Sequence, residues 1–244
     1  MTKRLTKESD RLPALSGIAK KARVRLTSKY LAGLWETDLA CGLGWTVCTT
    51  TTPPGVPVSR RPLNYRAPTW SWASVEGQVE WKDRLQATGI KILRSYCKTG
   101  DLDTTGGVHG GYLHLSGFMV SAYYLFKNPW LCDSPYRLSS TSGKLSNTPE
   151  LTNQTASFIS DTRIDVEGPE KINDGTTVYC LALNGISTTN DWDSAFMILR
   201  SASSREHGDI PVYSRIGLGW SKPANHSSWV DHFKSAIKKD IIII

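Results

Sequence analysis

Chemical signatures are what this chain has least of. It contains no G-x-S-x-G, no G-x-x-x-x-G-K-[ST] and no H-E-x-x-H, so the strand-to-helix nucleophile elbow, the phosphate-cradling loop and the helical zinc pair are absent as motifs. The glycine pairs Gly42/Gly44 and Gly217/Gly219 lack the third glycine and the βαβ setting of a dinucleotide site. His109 and His114 stand five apart and His226 and His232 six apart, neither spacing placing two rings on one helix turn. They read as surface or cap histidines. The acidic pairs Asp101/Asp103 and Asp191/Asp193 fall in loops, where neighbouring carboxylates are ordinarily solvated. These absences give the expectation of a protein without catalytic residues, cofactor or metal.

Paired cysteines and apolar runs are missing too. Cys41, Cys48, Cys97, Cys132 and Cys180 are an odd set without C-x-x-C spacing, which excludes a disulfide framework and a structural zinc site. The first residues, MTKRLTKESDRLPAL, are too polar for the core of a secretory leader. No stretch nears the roughly 18 apolar residues of a spanning helix. A soluble, cytoplasmic protein with reduced thiols is the expectation, and the sequons at Asn153 and Asn225 are accidental in that setting.

What is present begins with charge. The formal balance of +7 comes from residues 1–30, where nine Lys and Arg face only Glu8 and Asp10, while the other residues carry 20 of each sign. A nucleic-acid-binding face spreads its cations over a folded surface, so a solvated helix face or a contact to an acidic segment is expected instead of nucleic acid.

Helical spacing runs through Leu12, Leu15, Ile18, Ala19 and Ala22, with Ser9 as an N-cap and Pro13 in the first turn. It resumes through Leu31, Leu34, Trp35, Leu39 and Leu43. Helices are expected near 10–24, 29–43 and 228–239. After a Pro- and Thr-rich loop come short β-branched and aromatic segments: 70–75, 78–81, 90–97, 112–126, 177–183, 195–200, 212–219 and the closing Ile241–Ile244. Glu76-Gly77 reads as a hairpin turn. Residues 139–157 have little to bury and read as a disordered insertion, and 99–111 less strongly so. The expected fold is α+β and predominantly β. It has N-terminal short helices packed on an antiparallel β-sandwich or barrel-like unit, a C-terminal helix and a strand, with a helical segment at 1–48 and a β-rich region at 62–244.

The stretch YRAPTWSWASVEGQVEW places Trp70, Trp72 and Trp81 within seventeen residues. On a strand, Trp70 and Trp72 share one face, which suits a sugar-stacking platform or a core seam. The core is favoured, because each buried indole removes on the order of 150–250 Å² from water.

Three blocks, RLTKESDRLPALSGIAKKAR from Arg4, YLAGLWETDLACGLGW from Tyr30 and RPLNYRAPTWSWASVEGQVEW from Arg61, resemble in order the region that closes and follows the HET (heterokaryon incompatibility) domain of fungal proteins. The matching positions are Asp10, Arg11, Leu12, Pro13, Tyr30, Leu31, Leu34, Trp35, Tyr65, Arg66, Pro68, Trp70 and Trp72. The later segments are similar to the C-terminal tail of those proteins in order and character. The family's Ser-Tyr-x-Trp-Gly and Trp-Ile-Asp-Ala-x-Cys-Ile-Asn-Gln blocks are absent, and the nucleotide-related activity implied for them is not carried over. Gly44 stands where a larger apolar residue is usual, and Ala40-Cys41 where Pro and a basic residue occur. The resemblance implies a structural or regulatory piece of a larger protein. It would work through protein contacts in fungal non-self recognition and cell death, touching an upstream HET domain that this chain lacks. A Trp-rich carbohydrate-binding module is the alternative.

Overall fold

The computed structural model describes residues 7–81, 85–100, 103–130, 135–140, 155–184, 194–204, 206–221, 233 and 236–244. The chain is mostly β with few helices, as composition leads one to expect. A 3-10 turn (Glu8–Arg11) leads into α1 (Pro13–Leu26). Pro13 sits in the first turn, where a missing N–H is tolerated. Ser9 is not the cap: it lies inside the 3-10 turn, and Leu12 precedes α1 without a side-chain cap. Thr27 ends the helix in the left-handed region, with its N–H bonded to the Arg23 carbonyl.

The expected second helix is replaced by a tight hairpin, β1 (Tyr30–Leu31) and β2 (Leu34–Trp35), followed by a 3-10 turn (Glu36–Asp38) and one turn of helix, α2 (Leu39–Gly42). Ala32 at φ 47° and Gly33 at φ 95° make the reversal, a backbone that no helix contains. The leucine spacing served burial, not helicity: Leu31, Leu34, Leu39 and Leu43 are all buried. Two small pairings follow, β3 (Trp45–Val47) with β6 (Val79–Trp81), and β4 (Thr49–Thr51) with β5 (Pro54–Pro57).

The remaining strands are β7 (Ile90–Gly100), β8 (Asp103–Phe126), β9 (Tyr136–Ser139), β10 (Thr155–Ser160), β11 (Thr177–Ala182), β12 (Ser194–Ala202), β13 (Val212–Ser221) and β14 (Ile237–Ile243). β8 is the spine. Its second half pairs with β11 and β9, and the ladder continues β11–β12–β13–β10–β9 back to β8, a closed ring. Its first half pairs with β7 on one edge and β14 on the other, and β14 also meets the start of β13 in parallel.

Period-two alternation then sorts side chains between two cores. Val178, Cys180, Phe196, Ile198, Tyr124 and Phe158 fill the ring. Leu181, Met197, Leu199, Leu113, Leu115 and Ile241 point outward and bury Leu12, Leu31, Leu34, Leu39, Leu43 and Trp70. The segments 1–48 and 62–244 therefore share one core.

Three expectations are corrected here. The 99–111 stretch is not a disordered loop: its described residues are the stem of the β7–β8 hairpin, with Lys98 opposite Gly110 and Thr99 opposite Val108. α1 lies across this stem and covers Thr105 and Val108, so tertiary contact overrides the glycine-rich composition. The helical spacing at 228–239 does not hold from Ile237 onward, where the chain is β14; residues 222–232 and 234–235 lie outside the described set. The expected disordered insertion 139–157 does not hold at its ends, where Ser139 belongs to β9 and 155–157 to β10; residues 141–154 lie outside the described residues.

Candidate functional site

Residues 61–81 form the clasp of the N-terminal wrap, residues 7–81, through side-chain bonds to backbone carbonyls. The strand expected at 70–75 is absent: Trp72–Ser74 form a 3-10 turn, capped by the Ser71 hydroxyl accepting from the Ala73 N–H at 3.0 Å. No Glu76-Gly77 hairpin forms either, since Glu76 bridges to Arg60 and β6 pairs with β3. The indoles consequently do not share a strand face. Trp70 is completely buried, whereas Trp72 is half-buried and donates its Nε1–H to the Gly33 carbonyl at 2.9 Å. Gly33 is obligatory beneath it, because a Cβ there would lie 2.5 Å from that Nε1. The Ser71 hydroxyl donates to the neighbouring Ala32 carbonyl at 2.5 Å, and Trp81 meets Trp72 edge-on at 6.4 Å.

Arg66 organises this turn. Its buried guanidinium donates to the Ala73 carbonyl (2.6 Å), the Val75 carbonyl (2.8 Å) and the Glu8 carbonyl (2.8 Å), and pairs with Glu76. Arg11 reaches the same strip from the other side, donating to the carbonyls of Val75 (2.6 Å) and Gly77 (2.9 Å) with its guanidinium 5.0 Å from the Trp72 ring centroid. Burial lowers the Arg11 pKa, the Arg66 cation adds to that, and Glu76 opposes it. A planar fork satisfies several fixed carbonyls at once, which a lysine cannot do.

The other residues expected from sequence take varied places. Leu12, Leu31 and Leu34 are core. Pro68 is buried, and its carbonyl accepts from Ser71 at 3.0 Å. Asp10 accepts from Ser9 at the rim, and Pro13 is exposed. Trp35 does not pack with Trp70 and Trp72; it tilts against Tyr30 at 4.9 Å. Tyr65 is 57% exposed. Gly44 has its own cause: a Cβ there would lie 2.2 Å from a Leu85 methyl.

Sequence reasoning missed a second arginine centre. Arg215 is fully buried, paired with Asp161 at 3.1 Å, donating to the carbonyls of Leu43 (2.6 Å) and Trp45 (2.5 Å), and lying 3.6 Å from the Trp45 ring centroid. Arg61 donates to the Arg215 carbonyl at 2.9 Å and stands 3.6 Å from Asp161. Burial raises the Asp161 pKa against the pull of both arginines, and lowers that of Arg215 against the pull of Asp161. The only cue was one cation inside the apolar run VYSRIGLGW.

Beside the clasp lies an open groove of about 1180 Å³, walled by the 65–69 turn, the β7–β8 stem and the end of β12. Tyr96 and Tyr112 sit opposite each other in the ladder with ring centroids 5.6 Å apart, and His207 stands edge-on to Tyr112 at 4.7 Å. Burial lifts the Tyr65 hydroxyl pKa, with Cys97 adding to it, and pushes the Cys97 thiol up to about 12. Arg200 is engaged with Glu170 (3.3 Å) and Ser214 (3.1 Å). His109 lines this groove, while the buried Nε2 of His114 is elsewhere, so that histidine pair does not converge. His226, His232, Asp101, Asp191 and Asp193 lie outside the described residues. Among the described residues no cluster of three His, Cys, Asp or Glu side chains is placed to hold a metal, and no helix is long and apolar enough to cross a membrane.

Fold and site together define a mostly β protein, built on a large antiparallel sheet, whose N-terminal wrap is fastened by arginine-to-carbonyl contacts. Comparison with protein-family models, with curated proteins and with solved structures finds no match.

Proposed function

We propose that this chain is a non-catalytic structural and regulatory module of the kind found at the C-terminal side of HET-domain proteins, acting through protein contacts in fungal non-self recognition and incompatibility cell death. Its setting is cytoplasmic. One observation carries the reading. The three sequence blocks on which the resemblance rests, far apart in the chain, converge on one strip of backbone: Arg11 from the first, Ala32 and Gly33 from the second, Arg66 to Trp72 from the third. Residues with that arrangement form one structural unit, which is what a shared module requires.

The carbohydrate alternative draws no support from Trp70 and Trp72, because one is sealed in the core and the other is covered by Arg11 and Trp81. The test is conditional expression of the chain in a filamentous fungus, scoring hyphal death with a vital dye when incompatible strains meet. The wild-type chain should change the frequency of death, and Arg66→Ala should not. An unchanged frequency with the wild-type chain rules the proposal out.

A further inference from the structure

The groove beside the clasp is not consumed by the fold, and its lining has an unusual make-up. Three tyrosines, Tyr65, Tyr96 and Tyr112, share it with Ser201, Ser203 and Ser204 and with the side-chain-free Gly110. Tyrosine gives large, rigid contact area at small entropic cost, and serine and glycine give adaptable polar contact, a combination that polypeptide-binding loops exploit. Tyr65 and Tyr96 are 57% and 47% exposed, so ring surface is available without unfolding anything. At about 1180 Å³ the groove exceeds the roughly 300–1,000 Å³ of pockets that enclose a small molecule.

Charge narrows the occupant. Arg61, Arg66 and Arg200 are tied to Asp161, Glu76 and Glu170. Lys98 is exposed, its side chain makes no hydrogen bond or ion pair among the described residues, and it stands opposite Gly110, where a Cβ would meet nothing closer than the Lys98 Cβ at 3.9 Å. His109 is next to that gap in sequence and His207 flanks Tyr112, and Glu206 is the acid on this lining without a side-chain partner among the described residues.

We infer that the groove receives an extended, acidic, aromatic-containing segment of a partner protein, its rings against Tyr96 and Tyr112 and a carboxylate on Lys98. This deepens the protein-contact reading above and rests on it. The probes are fluorescein-labelled poly(Glu,Tyr), poly(Lys,Tyr) and chitohexaose, followed by anisotropy and by shifts of the Tyr96 and Tyr112 amide resonances. Poly(Glu,Tyr) should bind and move those resonances. Tyr96→Ala should weaken binding about tenfold, as for an interface tyrosine, and Lys98→Glu should weaken it by a similar factor. Lys91→Glu, on the same strand outside the groove, should leave it unchanged, and all three variants should melt as the wild type does. Equal binding by poly(Lys,Tyr), insensitivity to Tyr96→Ala and Lys98→Glu, resonances moved only by chitohexaose, or no response to any probe each overturns the inference. If the groove variants fail this way while hyphal death still depends on Arg66, the groove is wrong and the module reading stands.

Discussion

A buried guanidinium and a buried indole hold this protein in different ways, and substitutions separate them. Trp70 fills space: Trp70→Ala should cost about 3–5 kcal/mol in chemical denaturation, as for large aromatic truncations in cores. Trp72→Ala should cost clearly less, because the ring is only half-buried and what it loses is a hydrogen bond to Gly33 and the Arg11 contact. At Asp161 the cost is electrostatic. Asp161→Asn leaves Arg215 as an unpaired cation in a site without water access, and should lower stability by about 3–5 kcal/mol. The clasp itself was half legible. Arg66, Pro68 and the two tryptophans stand out as unusual residues, but that the arginine reads carbonyls of its own following turn depends on Ser71 capping a 3-10 turn, and short polar residues do not announce which turn they cap.

Secondary-structure elements tell a similar story about which contacts win. α1 buries only Ser16 and Ala19 within its span, so it is held as much by polar bonds as by apolar area. Asp103 accepts from the Ser16 hydroxyl at 2.6 Å and from Thr105 through both N–H (3.0 Å) and hydroxyl (2.8 Å), with Lys20 at 3.2 Å. Those donors hold its carboxyl well below the usual carboxylate range. The folded state therefore binds fewer protons than the unfolded one near pH 4, so the contribution is complete above that range and fades as pH falls towards the folded value. The protection factors of the α1 amides should fall as the pH drops below about 4, and Asp103→Asn should abolish that dependence by making protection low throughout. The strands from β11 to β13 were readable because alternation and β-branched content agree there. The 29–43 region was not, since leucines spaced for a helix are equally well buried by a hairpin and a single helical turn, and only the left-handed backbone at Ala32 and Gly33 decides.

The molecule as a whole is a ring of strands with one packed interior and an outer face shared with the N-terminal wrap. Its interior is tight where β13 passes Phe158 and Phe196. A methyl at Gly219 would lie 2.4 Å from the Phe196 ring, and one at Gly217 would lie 2.4 Å from the Ile159 carbonyl oxygen. Gly219→Ala should therefore cost about 1–3 kcal/mol by overpacking, read as a lower melting temperature with the near-ultraviolet circular dichroism altered. In sequence these glycines lack the setting of a nucleotide motif, and nothing local marks them as the residues that let β13 pass close to Phe158 and Phe196. β14 completes the bed on which the wrap lies. It slots between β8 and β13, and the Ile244 carbonyl accepts from Thr69 in the turn that leads to Trp70. Within this chain the wrap precedes its bed, so Leu12, Leu31, Leu34 and Trp70 have nothing to cover them until β14 is made, whereas the Arg11 and Arg66 contacts, local to residues 8–77, can form earlier. Nascent chains stalled short of β14 should accordingly be held by chaperones and cut by protease within the wrap.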